Sequence, residues 1–127
     1  MITTPHAIIL AALGTLAFPQ SPVSPAHAAG YLSQCIAVEG VAHIHEDQQR
    51  SGTDIDLQEN KIVFRGFIPK GNLKQFPDLK NRENETVVIT GFVHMAYNRP
   101  EIQLFDISQL KRAPEAARGP LRCPAAF

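Results

Sequence analysis

Apolar and polar side chains alternate along much of the chain from residue 36 onward. In the first such stretch, Ile36, Val38 and Ile44 occupy even positions, and the odd positions include His43 and His45. A two-residue period places successive side chains on opposite faces, which is typical of a half-buried β-strand. The first apolar segment is therefore predicted to be a strand with its histidines facing outward.

Four further strands are predicted beyond a polar turn at residues 46–52. They cover residues 53–57, 61–68, 86–97 and 101–107. Between the third and fourth strands, Leu73, Phe76 and Leu79 recur every three residues, and this spacing favours a short helix or helical turn. Pro77 is expected to interrupt it, because proline cannot continue the hydrogen-bond ladder.

Three strands, a helical connection and two more strands follow the order of a five-stranded OB-fold, a Greek-key barrel. The predicted class is therefore all-β with one short helix. Gly40, Gly66 and Gly91 fall in the middle of strands, on the side assigned to the interior. A barrel bend or a close strand crossing leaves no room for a Cβ atom, which explains glycine there. A β-sandwich is the alternative, but five strands would give it little to pack.

The first 28 residues resemble a targeting segment. Their apolar run, Ala7–Phe18, has 12 residues and is too short to span a membrane as a helix. Ala26, His27 and Ala28 fit the A-x-A pattern of a signal-peptidase site. Residues 1–28 are therefore predicted to be a signal peptide, and the protein is expected to be periplasmic or secreted. Because no Lys or Arg precedes the run, a buried N-terminal helix is the alternative.

The remaining chain, residues 29–127, is predicted to form one domain, with a core at 35–110 and an irregular tail at 111–127. It contains two cysteines, Cys35 and Cys123, near its two ends. In an exported protein an even count indicates a disulfide. Free thiols or a metal pair are the alternatives, but such a wide separation lacks metal-ligand spacing.

Charge narrows the range of partners. All 12 basic and all 12 acidic residues follow residue 28, so the domain has no net charge at neutral pH. Strong non-specific binders of polyanions usually carry a basic excess, which this domain lacks. A local basic strip remains compatible with this composition.

Five segments together resemble small bacterial secreted OB-fold domains. They are VEGVAHI (38–44), SGTDIDL (51–57), FRGFIP (64–69), TVVITGFV (86–93) and RPEIQLFDISQL (99–110). The resemblance covers residues 35–110 and is most specific in the last segment. It implies an OB-type fold, with nucleic-acid binding suggested by the fold alone, and it supplies no catalytic residues.

OB-folds bind ligands on the outer face of strands two and three, flanked by the loops between strands one and two and between strands four and five. The predicted ligand-binding residues are Arg65, Phe67, Arg99 and Phe105, with arginines for phosphates and aromatic rings for base stacking. Tyr97 could also stack, although alternation directs it inward.

A purely structural interpretation competes for the same residues. Arg65 could pair with Asp54 or Asp56 across adjacent strands, as ordinary cross-strand charges do. The two aspartates would also repel phosphate from this face. Phe67 could lie under the helical connection and close the barrel.

Metal and catalytic sites are less well supported. His43 and His45 could bind Zn²⁺ or Cu²⁺ with a nearby carboxylate, but His94 is expected to lie far from His43. Asp54 and Asp56 could serve acid–base or Ca²⁺ chemistry, yet they lack a recognisable spacing. The sequence also contains no G-x-S-x-G, H-E-x-x-H or glycine-rich phosphate loop. No catalytic residue, metal ligand or cofactor is therefore assigned.

The sequence predicts an exported OB-fold binding module for single-stranded nucleic acid or another extended ligand. The alternative is a periplasmic protein–protein interaction module without nucleic-acid affinity. Its contact patch would consist of exposed Val63, Phe67 and Phe92.

Overall fold

The computed structural model describes residues 21–116 and Cys123. The strands are β1 Cys35–Asp47, β2 Gly52–Glu59, β3 Ile62–Pro69, β4 Thr86–Ala96, β5 Arg99–Gln103 and β6 Leu110–Arg112. A short α-helix, α1, covers Pro25–Ala28. Short 3₁₀ segments cover Ala29–Tyr31, Lys70–Gln75, Leu79–Arg82, Ile107–Gln109 and Ala113–Glu115. Within this part of the chain, no helix is long and apolar enough to cross a membrane.

Five strands close into a ring. β1 pairs with β2 and β2 with β3, both antiparallel, and β3 then pairs in parallel with β5. β5 pairs with β4, which returns to β1, so the ring order is β1-β2-β3-β5-β4. β6 pairs with the first half of β4, where an irregular tail was expected. Because the ring closes, backbone N–H and C=O groups that an open sheet would leave unpaired at its edges can form hydrogen bonds.

The interior is filled by side chains that point inward from every strand of the ring. The fully buried valine, leucine and isoleucine side chains are Ile36, Val38, Ile55, Leu57, Ile68, Val87, Ile89, Val93, Ile102 and Leu104. Phe76 and Leu79, from the connection between β3 and β4, join this core. That connection consists of two 3₁₀ segments separated near Pro77, as the three-residue spacing predicted.

Gly91 lies where β4 passes close to β5. A Cβ atom at this position would lie 2.5 Å from Cγ2 of Ile102 on β5, which is closer than carbon atoms approach. The close strand crossing predicted at Gly91 is therefore confirmed. Any larger residue here would push β4 and β5 apart.

The chain ends are tied to β1. Cys35, at its first residue, is bonded to Cys123, with 6.1 Å between the two Cα atoms. The predicted disulfide is confirmed, and it encloses nearly the whole barrel in one covalent loop. A disulfide is compatible with an exported protein.

The segment before β1 also packs on the barrel. The Val23 N–H donates to the Ala37 carbonyl at 2.8 Å, and the Glu39 N–H donates to the Val23 carbonyl at 3.0 Å. Pro25 and Ala28 of α1 are buried. Most of the predicted signal peptide, residues 1–20, lies outside the described residues, and cleavage after Ala28 stays a prediction. These contacts mean that such cleavage would remove residues that pack on the fold.

We therefore expect a protein starting at Ala29 to be less stable than one starting at Ser21, by about 2 to 4 kcal/mol. The shorter protein loses two backbone hydrogen bonds, worth about 1 kcal/mol each, and the apolar burial of α1. Urea unfolding of the two proteins measures the difference. Ser21→Ala in the longer protein should leave the midpoint unchanged, and equal midpoints for the two lengths would contradict the packing described.

Candidate ligand-binding face

Two rows of side chains lie on the outer side of the barrel. In the first row, strand pairing places His45 beside Asp54, Asp54 beside Phe67, and Phe67 beside Gln103. The second row contains Asp56, Arg65, Glu101 and His94. Paired residues on neighbouring strands point to the same side of a sheet, so the rows form one surface, here called the outer face. The loop between β1 and β2 (residues 48–51) and the turn between β4 and β5 (residues 97–98) flank it.

Arg50, from the loop between β1 and β2, reaches across this face. Its Nη1 and Nη2 donate to Oε1 and Oε2 of Glu101 at 2.7 and 2.9 Å, a bidentate pair. The guanidinium carbon lies 3.9 Å from the centre of the Phe67 ring and 4.6 Å from that of Tyr97. Arg50 therefore connects the two flanking loops through one cation, stacked on aromatic rings.

The pair of Arg50 and Glu101 is buried. The Glu101 side chain is 1% exposed and that of Arg50 is 11% exposed. The hydrogen-bonded carboxylate raises the pKa of Arg50 above its ordinary value, so the guanidinium is charged at all relevant pH values. His94 Nε2 lies 3.6 Å from the same carboxylate.

The local backbone explains how Arg50 reaches this position. Asp47 Oδ1 accepts a hydrogen bond from the Arg50 N–H at 3.1 Å, which holds the loop in a turn. Ser51 then adopts a left-handed conformation with φ 55°. A side chain at Gly52 would collide with the ring of Phe67, so glycine lets β2 pass close to that ring.

Tyr97 and Asn98 form the two-residue turn between β4 and β5. Both have positive φ, 52° and 64°, as in the type I′ turns that suit β-hairpins. Tyr97 is 75% exposed. The expectation that its ring points inward is wrong, because β4 ends at Ala96 and alternation no longer applies at the next residue.

A second charged cluster lies on the same face. His45 Nε2 is 2.9 Å from Asp56 Oδ2 and 3.8 Å from Asp54 Oδ2. Arg65 Nε is 3.4 Å from Asp54 Oδ2 and 3.3 Å from Asp56 Oδ1. The cross-strand pairing considered for Arg65 is therefore confirmed. We call His45, Asp54 and Asp56 the His45 triad.

Two members of the triad, His45 and Asp54, have raised pKa values. A hydrogen bond to Asp56 raises the pKa of His45 above its ordinary value. Burial raises the pKa of Asp54 to about 6, because desolvation disfavours its charged form more than Arg65 favours it. Near neutral pH this face therefore carries a buried carboxyl that ionises at a cost.

Of the four predicted ligand-binding residues, Arg65 and Phe67 lie together on the outer face. Phe67 is buried beneath Arg50, and not beneath the connection between β3 and β4. Arg99 is exposed at the first position of β5, beside the turn that carries Tyr97. Phe105 follows the end of β5 and is half-buried near Asn72, whose side chain donates to the Phe105 carbonyl.

The alternative apolar contact patch is not continuous. Val63 is exposed and Phe92 is half-buried, whereas Phe67 is buried. Each of the three histidines considered for a metal site contacts a different carboxylate. His43 contacts Glu83, His45 contacts Asp56 and His94 contacts Glu101.

The central pair of this face, Arg50 and Glu101, is not among the site residues predicted from the sequence. Arg50 and Glu101 are 51 residues apart, and no local spacing relates them. No local signal marked Glu101 as buried, because β5 reads Arg-Pro-Glu-Ile-Gln and a glutamate in so polar a strand is normally exposed.

Comparisons with known proteins support the fold and leave the function open. No family model matches the chain, and no curated protein sequence matches it. Among solved structures, asparaginyl-tRNA synthetase from Pyrococcus horikoshii aligns at 10% identity with a TM-score of 0.54, over 74% of this chain and 23% of that chain. A putative aspartyl-tRNA synthetase from Leishmania major Friedlin aligns at 6% identity with a TM-score of 0.51, over 89% and 26%.

This chain has an OB-fold. The strand ring and the similar solved structures agree on the predicted five-stranded barrel. The hypothetical protein ygiW from E. coli also aligns, at 16% identity with a TM-score of 0.48, over 72% of this chain and 89% of its own. The chain matches only about a quarter of each synthetase, so the likeness concerns one part of those proteins and shows the fold alone.

Proposed function

We propose that this chain is a binding module that takes an extended ligand along the outer face of its OB-fold, with single-stranded nucleic acid as the first candidate. The observation that carries the proposal is the exposed ring of Tyr97 beside the exposed cation of Arg99, where the turn between β4 and β5 meets this face. The OB-fold supports it, because OB-folds bind oligonucleotides between these loops.

The chemistry of that edge suits a single strand. An exposed aromatic ring can stack on any base, which contributes about 1 to 3 kcal/mol per base. Arg99 can contact a neighbouring phosphate from the same edge. Arg65 and Phe67 lie further along the face and are proposed to contribute once the ligand displaces their present partners.

The charges of the face limit the affinity. Asp54, Asp56 and Glu101 already pair with Arg50 and Arg65, so these arginines are neutralised before a polyanion arrives. We therefore expect a Kd for single strands of roughly 100 μM at physiological salt, at the weak end of the range of non-specific binders, and tighter binding at low salt. The proposed setting is the periplasm or the exterior of the cell, which the disulfide supports.

Fluorescence anisotropy of labelled single-stranded oligonucleotides tests this function. We expect saturable binding that weakens with added salt, because counterions are released on phosphate contact. Tyr97→Ala should weaken binding about 5-fold to 100-fold, as expected for one lost stacking contact. Arg99→Ala should weaken it too and reduce the salt dependence.

Arg112→Ala is the matched control, because Arg112 is also exposed but lies on β6, outside the outer face. It should leave affinity nearly unchanged. Flat anisotropy at about 100 μM protein and low salt would reject nucleic acid as the ligand. Equal losses of affinity in all three variants would instead indicate diffuse charge attraction. That result would reject Tyr97 and Arg99 as the specific contact site.

A protein partner is the second candidate, favoured by the absence of net charge. Tyr97, Met95 and Val63 are exposed around the turn between β4 and β5, and aromatic residues and methionine are enriched in interfaces. Such a complex would tolerate salt, would not need oligonucleotides, and would still be weakened by Tyr97→Ala. Salt dependence therefore separates the two candidates.

A further inference from the structure

The donor atoms of the His45 triad are spaced as metal ligands are. Nε2 of His45 lies 2.9 Å from an oxygen of Asp56 and 3.8 Å from an oxygen of Asp54, and the three donor atoms lie within 4.8 Å of one another. Ligands of tetrahedral Zn²⁺, bound at about 2.0 to 2.2 Å, are about 3.4 Å apart. The observed separations bracket this value, so small side-chain rotations would complete the geometry.

Asp54 provides an independent indication of a missing ligand. Its side chain is 2% exposed, and its Oδ1 has no hydrogen-bond partner among the described residues. Its Oδ2, which faces His45 and Arg65, lies 3.8 and 3.4 Å from their nitrogens, beyond good hydrogen-bond distance. Buried carboxylate oxygens normally have hydrogen-bond partners, and an unpartnered oxygen beside two other metal-ligand side chains is consistent with a site that takes up a cation.

We propose that His45, Asp54 and Asp56 bind one divalent transition-metal ion, with Zn²⁺ as the ion that the donor set fits best. One imidazole nitrogen and two carboxylate oxygens are ordinary Zn²⁺ ligands. The His45 side chain is 50% exposed, so an ion can enter from solvent, and a water molecule would complete its coordination. This inference does not depend on the proposed binding of nucleic acid.

Neighbouring charges favour the ion. Asp47 adds negative charge near Asp54. Arg65 contacts Oδ1 of Asp56, whereas His45 contacts Oδ2 of the same carboxylate, so Arg65 can orient this ligand from its other oxygen. The 3.4 Å contact of Arg65 with Oδ2 of Asp54 is the one that the ion would replace. The carboxylates of Asp54, Asp56 and Asp47 carry three negative charges when ionised, and Arg65 carries one positive charge. The net charge of minus two is neutralised by one divalent cation.

Isothermal titration of Zn²⁺ into tag-free, disulfide-intact protein treated beforehand with a chelator tests the site. We expect saturable binding of one ion per chain. His45→Ala and Asp56→Asn should each weaken it by at least about tenfold, the loss that even an outer-shell partner of a ligand causes. His45→Gln provides a second substitution should alanine disturb folding.

His43→Ala is the matched control. His43 lies on the same strand, is comparably exposed and also contacts a carboxylate, that of Glu83, but is outside the triad. It should bind Zn²⁺ as the parent does. Absence of saturation up to about 1 mM Zn²⁺ would overturn the proposal, since protein Zn²⁺ sites bind far more tightly. So would retained affinity in both His45 variants, or an equal loss in His43→Ala.

Discussion

Replacing Arg50 with methionine is expected to lower the free energy of unfolding by about 3 to 5 kcal/mol. The Glu101 carboxylate is buried, and its bidentate partner would be gone, leaving the 3.6 Å contact with His94 among the ion pairs described here. An uncompensated buried charge is costly because the interior solvates it poorly. Urea unfolding, followed by circular dichroism at neutral pH, measures the loss.

The double variant Arg50→Met with Glu101→Met separates charge burial from packing. It is expected to regain most of the stability, because replacing both members of a buried ion pair with apolar groups is often neutral or better. Arg112→Met is the control, since the Arg112 ion pairs at 3.6 and 3.7 Å are exposed and worth at most about 1 kcal/mol. If Arg50→Met costs no more than Arg112→Met, the buried pair does not hold the two loops together.

Removing the disulfide by Cys35→Ser with Cys123→Ser should destabilise the protein by about 4 to 5 kcal/mol in the chain-entropy model. The bond joins residues separated by 88 positions, so its loss frees almost the entire barrel in the unfolded state. Unfolding midpoints of the parent and the double variant, without reductant, measure this effect.

A reductant provides the matched control for this prediction. Reduced parent protein should unfold like the double serine variant, and the variant itself should not respond to reductant. A loss below about 1 kcal/mol would mean that the unfolded chain is already compact, so that the bond removes little entropy from it. The outcome also bears on the proposed export, because a reducing compartment would forgo this stabilisation.

Much of the barrel follows from local sequence pattern. Alternation from Ile36 onward encodes which side of each strand is buried, and the spacing of Leu73, Phe76 and Leu79 encodes the connection between β3 and β4. These signals are short-range, because a strand places every second side chain on one face whatever it pairs with. Gly91 also indicated a tertiary feature, the close crossing of two strands, because any other residue type would place a Cβ atom in the way.

The candidate face required the tertiary structure. Alternation identified Arg65 and Phe67 as outward residues. It could not show that Arg50 covers Phe67, or that Asp54 and Asp56 pair with Arg65. It also misplaced Tyr97, since the left-handed turn conformation begins where the strand period stops. The exposed or covered state of an outward residue depends on loops that approach from distant parts of the chain.

The sequence by itself therefore determined the strand order, the inward faces and the pairing of the two cysteines, because period, turn residues and an even cysteine count are properties of short segments or simple counts. Only the tertiary structure decided which charges meet. The contacts of Arg50 with Glu101 and of His45 with Asp56 arise from strand register, ring closure and loop conformation, and these bring together side chains that no local pattern relates.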